Sequence, residues 1–177
     1  QGNTTLEVVL SDAKVNAGGV SAPANVTAPP PVPGATVEKV ADGVYFIAGA
    51  SHNSVAIEMA DHVILFEAPL GDARVVDVIE QVKKTIPNKP LRFVVNTHHH
   101  FDHSGGLPAA VAEGMTVVTH AYNKAYYEDA FAAPRTIAPD RLGRASGVTA
   151  KIQTVGDKSV MSDATRTLEL HTLKALG

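Results

Sequence analysis

Apolar positions along the chain change period twice. In "VEKVADGVYFIAG", and again across "SVAIEM" and "HVILFEA", short apolar runs are broken by turn residues, Asp42 and Gly43 in the first case, Ala60 and Asp61 in the second. This spacing predicts strand hairpins, the second mostly buried. In "DARVVDVIEQVKKTIPNKP" the period becomes helical, with Val75, Ile79, Val82 and Ile86 on one stripe. Asp72 is placed to cap that helix, Lys83 and Lys84 fall near its last turn, and Pro87 ends it. "LRFVVN" then reads as a buried strand, "GLPAAVAEG" as a short helix, "TVVT" as a strand and "AYNKAYYEDAF" as a further helix. Such alternation predicts a layered α/β domain with its site in the loops after the strands' C-terminal ends.

Upstream the pattern is different. Val15 to Gly34 is rich in Ala, Pro and Gly, with Pro29, Pro30, Pro31 and Pro33 nearly consecutive. Proline lacks the N–H that a sheet or helix needs, so residues 1–34 read as an extended arm or linker, with a short strand expected at "LEVVL". Residues 35–177 then form the domain.

Composition narrows the function classes. A length of 177 residues with 45% hydrophobic content fits one ordinary core. A net charge of −3 and a pI near 6.2 provide no electrostatic footprint for nucleic acid or an anionic membrane. No apolar stretch approaches the roughly 20 residues of a membrane span. The chain starts at Gln1, from which we expect that an upstream segment was removed, and which tilts the expected compartment toward periplasmic or secreted rather than cytoplasmic. There is no cysteine, so any metal must be held by nitrogen and oxygen.

The chemistry concentrates in "VVNTHHHFDHSGG", residues Val94 to Gly106, which hold four of the eight histidines around Asp102. On an extended chain His98, His100 and Asp102 face one side, and His99 and Phe101 the other. Two imidazoles two residues apart can chelate one ion. Asp102 and His103 are neighbours and converge on a second ion only where the chain turns sharply, a freedom expected from Ser104, Gly105 and Gly106.

His98-x-His100-x-Asp102-His103, in this strand–motif–Gly context, resembles the HxHxDH signature of the metallo-β-lactamase-fold hydrolases. The resemblance covers about Thr36 to Gly177 and implies the N-terminal half of an αββα sandwich. It further implies one or two zinc ions, with His98 and His100 on the first, Asp102 and His103 on the second, and His99 as a supporting residue that is not a ligand. Such an ion generates hydroxide near neutrality, and Asp102 would orient that nucleophile. The implied activity is hydrolysis of an ester, amide, thioester or related bond in a small-molecule substrate.

Four further residues are assigned by place. Glu67, ending the strand "HVILF", is a candidate to hydrogen-bond a ligand histidine. His52, before a strand that should pass near the site, is a pocket candidate; His120, at another strand end, is assigned to the pocket rim or to structure. His171 is expected on the polar face of a strand and His62 in the hairpin turn, without site roles.

The family pattern also calls for a third histidine on the first metal, a bridging acid and a final histidine, all from a second half. Gly177 falls where the third-ligand histidine would come next, so the chain reads as an N-terminal half, expected to self-associate or to bind a complementary C-terminal fragment, and a competent two-metal centre is expected only where another chain supplies the later ligands. Two alternatives accompany the hydrolase: an incomplete fragment serving as a structural or assembly subunit, and an iron-dependent sulfur oxygenase of the same fold. Nitrogen and oxygen ligands accommodate iron or manganese as well as zinc.

Overall fold

A computed structural model describes residues 6–15, 18, 19, 21–28 and 34–174. The chain divides into two units, Gln1–Pro31 and Val32–Gly177.

In the first unit the expected strand at "LEVVL" is absent: residues 6–10 carry no secondary structure, and Leu6, Val8, Val9 and Leu10 are exposed. β-branched residues make a strand only when a neighbouring strand takes up their backbone hydrogen bonds, and this segment forms no such pair. One helical turn, α1 (Ala24–Thr27), follows Pro23. Pro29, Pro30, Pro31 and Pro33 lie outside the described residues.

The second unit is built on a seven-stranded mixed sheet whose strands stand in sequence order. β1 (Thr36–Ala41), β2 (Val44–Ala48), β3 (Ser54–Glu58) and β4 (Val63–Phe66) pair antiparallel, and two of their three turns fall at the residues the hydropathy pattern marks, Asp42–Gly43 and Ala60–Asp61. β5 (Leu91–Val95), β6 (Thr116–His120) and β7 (Lys151–Val155) then continue parallel to β4. Parallel neighbours require crossovers, supplied here by α2 (Asp72–Thr85), by α3 (Phe101–Ser104) with α4 (Leu107–Ala112), and by α5 (Lys124–Ala132) with α6 (Arg141–Arg144).

The helices collect on one face. Val75, Ile79, Val82 and Ile86, the predicted stripe, are buried there against Ile47, Ala56, Leu65, Val94 and Val117 of the sheet. Asp72 does not cap α2: the N-cap is Gly71, and the Asp72 carboxylate instead accepts from the Arg141 N–H, 69 residues onward. Ile57, Ile64, Val95 and Val118 point the opposite way, as the two-residue period of a strand demands. They are covered by Met161, Leu168 and Leu170 of a separate hairpin, β8 (Lys158–Ser162) and β9 (Thr167–His171). Among the described residues no helix is long and apolar enough to cross a membrane. The helix-covered mixed sheet is the α/β architecture expected from the sequence.

Candidate metal centre

β4 and β5 run parallel and end side by side, Phe66 against Val95. β3 is antiparallel to β4, with Val55 against Phe66, so the chain enters β3 at that same edge. Three segments distant in sequence therefore meet there: His52 ahead of β3, Glu67 after β4, and residues 96–104 after β5.

The histidine loop leaves β5 extended and then turns. His100 has an extended backbone (φ −61°, ψ 141°), and its carbonyl accepts from the N–H groups of His103 at 3.0 Å and Ser104 at 2.9 Å as α3 begins. The Ser104 hydroxyl is 2.9 Å from the carbonyl oxygens of both His99 and His100. This single helical turn carries His103 back toward His98, their ring centroids 4.3 Å apart, while the His98 and His100 rings stand 4.9 Å apart, edge to face. The strict alternation expected of an extended chain thus ends at His100.

Gly105 and Gly106 are needed for a different reason from the one the sequence suggests. Their φ values are −60° and −98°, open to any residue, so left-handed freedom is not used. What matters is closeness. A Cβ on Gly105 would lie 2.5 Å from the Leu70 carbonyl oxygen, and one on Gly106 would run into the Val75 side chain. The histidine loop is pressed against the β4–α2 connection, and only glycine lets the two backbones approach this far.

Glu67 fastens the loop from the other side. Its carboxylate is 3.2 Å from His103 Nδ1 and accepts from the Thr97 N–H at 2.9 Å and from Asn96 Nδ2 at 3.4 Å. Its own N–H donates to Val95 at 2.9 Å, and its carbonyl accepts from the Ser54 hydroxyl at 3.0 Å. Glu67 holds a left-handed backbone, φ 64°, a conformation that costs a non-glycine residue about 1–3 kcal/mol and survives only where its surroundings over-determine it. The five contacts just named do so.

His52 Nε2 lies 3.1 Å from Asp102 Oδ2, and His103 Nε2 lies 3.9 Å from the same oxygen. One ligating atom from each of His52, Asp102 and His103 falls within 4.8 Å of the others. His98 has its pKa lowered by burial first, then by the neighbouring His103 and His100, which favours the neutral imidazole that can ligate a metal. His99 points away to Tyr126, ring centroids 5.0 Å apart. His120 caps a 3-10 turn, Nδ1 accepting from the Tyr122 N–H at 3.2 Å. His171 pairs with Glu169 at 2.9 Å, opposite the inward Leu168 and Leu170, and His62 with Asp61 at 2.6 Å.

Two supporting residues escape a reading of the sequence. Asn96, 2% exposed, donates to the His103 carbonyl at 3.1 Å and accepts from the Tyr127 hydroxyl. Tyr127 is buried, and burial pushes its phenol pKa up, keeping the proton available for donation. The available signal was Asn96 itself, a polar side chain ending an apolar strand. A cleft of about 420 Å³ between α5, α6 and β7 is lined by Phe131, Arg135 and Leu142, and none of the clustered histidines reaches it.

The sequence profile of the metallo-beta-lactamase superfamily matches residues 49–150, more than half of the chain and all of this centre. The chain belongs to the metallo-β-lactamase superfamily. Among solved structures it is similar to the metallo-β-lactamase FIM-1 from Pseudomonas aeruginosa, solved in its mono-zinc form, at 22% identity and a TM-score of 0.52, over 71% of this chain and 54% of that one. It is similar also to the metallo-β-lactamase DIM-1, at 16% identity and a TM-score of 0.55, over 74% of this chain and 56% of that one. These likenesses are of fold. The superfamily chain described here spans little more than half the length of either structure. Among curated proteins none matches its sequence.

Proposed function

We propose that this superfamily member is a metal-dependent hydrolase, using zinc to cleave an ester, amide, thioester or related bond in a small-molecule substrate. The observation that supports this best is the convergence of His98, His100, Asp102 and His103 at one sheet edge, with a carboxylate behind His103. The donor set fits a dication: it is all nitrogen and oxygen, His98 is biased toward its neutral form, and Glu67 occupies the outer nitrogen of His103. Zinc bound there would acidify water and polarise the bond to be cleaved.

The chain's own residues set the stage for that chemistry. His98 and His100 would hold a first ion, and Asp102 and His103 a second. Glu67 fixes the tautomer of His103, leaving Nε2 as its ligating atom. Asp102, one-third exposed, can orient a nucleophile that arrives from solvent.

A panel of ester, thioester, lactone and β-lactam probes tests the proposal on the zinc-loaded chain. Hydrolysis is expected with at least one class, and His100→Ala should abolish it while circular dichroism stays unchanged. No hydrolysis by the parent, or equal rates in the variant, overturns the reading. Elemental analysis of the purified chain should find zinc rather than iron or manganese.

A second reading draws on the hairpin-covered sheet face, where Val55, Phe66 and Phe93 are only partly buried. There the chain would associate with a second copy or with a complementary segment. Sedimentation at a monomer mass, with no gain on adding such a segment, would refute it.

A further inference from the structure

We propose that His52 is a metal ligand: its Nε2 joins Asp102 and His103 Nε2 in a three-residue site for a zinc-like dication at the C-terminal edge of the sheet. The inference rests on the metal-binding reading above and adds to it a residue from outside the motif, 50 positions away in sequence.

Distance is the first argument. A tetrahedral ion with bonds of about 2.0–2.1 Å keeps its ligand atoms about 3.3 Å apart. The separations from Asp102 Oδ2, 3.1 Å to His52 Nε2 and 3.9 Å to His103 Nε2, bracket that value. All three ligating atoms lie within 4.8 Å of one another.

Ring orientation is the second. In both imidazoles the nitrogen remote from Asp102 already has an oxygen partner: Glu67 Oε2 lies 3.2 Å from His103 Nδ1, and Ser51 Oγ lies 2.9 Å from His52 Nδ1. An N–H directed to those oxygens leaves both Nε2 lone pairs facing Asp102, the arrangement in which a histidine ligates. The side chains of all three residues are about one-third exposed, which leaves a fourth position open to solvent or substrate.

Anchoring is the third. The loop carrying His52 is closed by Asn53, whose Oδ1 accepts from the Gly49 N–H at 3.3 Å. The first residue of β3, Ser54, is tied to the carbonyl of Glu67, so one residue backs both His103 and the loop that presents His52.

The alternative is that His52 only donates a hydrogen bond to Asp102. Zinc titration of the 177-residue chain with ¹⁵N-labelled histidine separates the two, with His52→Ala and His52→Asn beside it; Asn keeps an N–H for Asp102 and removes the imidazole. On saturation, His52 Nε2 and His103 Nε2 should both shift to the position of a metal-bound nitrogen. Each variant should leave His98 and His100 shifting as in the parent while the Asp102–His103 site weakens by more than about 100-fold, beyond the 10–100-fold typical of losing an outer-shell partner. If His98, His100 and His103 respond but His52 does not, or if either variant binds within about 100-fold of the parent, His52 is no ligand. If no histidine responds, the metal-binding reading itself fails.

Discussion

The two faces of the seven-stranded sheet are covered very differently. On one, three crossover connections lay their helices over the strands and bury a continuous core from Ile47 to Leu142. On the other, six buried residues are sheltered by a two-stranded hairpin whose apolar side chains remain partly exposed, and Val160 on that hairpin is 54% exposed. The difference shows where the fold draws its stability, and it locates the candidate metal centre. The histidine loop is pressed onto the helix-covered side through Gly105 and Gly106, so the better-packed face holds the clustered side chains in place.

The largest test of that contrast is a matched pair of truncations. Leu65 is fully buried on the helix face, and Leu65→Ala should cost about 2–5 kcal/mol. Leu168→Ala, on the half-covered hairpin, should cost about 1 kcal/mol, in line with surface and partly buried positions. Urea denaturation of both variants measures the gap; equal losses would erase the distinction between the faces.

Next in size is Gly106→Ala. The added methyl must displace Val75, an overpacking of about 1–3 kcal/mol. Because it displaces the loop from the core, it should also lower zinc affinity, read by chelator competition. Normal affinity in a destabilised variant would separate the site from its seat.

The smallest effect sharpens the contrast from the hairpin side. Asp163 holds the turn between β8 and β9: its carboxylate accepts from the Thr165 hydroxyl at 2.6 Å and from the Ala60 N–H at 2.6 Å. The Thr165 hydroxyl first, then the backbone N–H groups, hold its pKa below the ordinary carboxylate value. A carboxylate with a depressed folded pKa stabilises fully above the unfolded value, near pH 4, and loses that contribution as pH falls toward the folded one. Amide-exchange protection in β8 and β9 should therefore fall on acidification below about pH 4, while β4 and β5 keep theirs. A uniform response across the sheet would contradict this.

Much of this architecture is legible in the sequence because it is local. The period of Val75, Ile79, Val82 and Ile86 fixes α2, and the turn residues fix the hairpins. What escaped depends on long-range encounters. Asp72 fits a helix cap by spacing, yet its partner is Arg141. Gly105 and Gly106 resemble a flexible joint until Leu70 and Val75 are seen beside them. The motif histidines announce themselves, whereas His52 is legible only as a pocket candidate, with no sign in the sequence of its contact with Asp102. Only the antiparallel pairing of β3 with β4 brings it to Asp102.

That pairing divides the centre into a part that is frozen and a part that is free. Gly105 and Gly106 are bound to core packing, so a side chain added at either disturbs the body of the protein. The loop from Gly49 to Asn53 begins and ends on strands but presents His52 from the surface. Gly49 and Asn53 hold its two ends, and the residues between them carry no such tie to the core. Exchanging residues 50–52 would therefore change what is presented beside Asp102 and leave the motif and the sheet as they are.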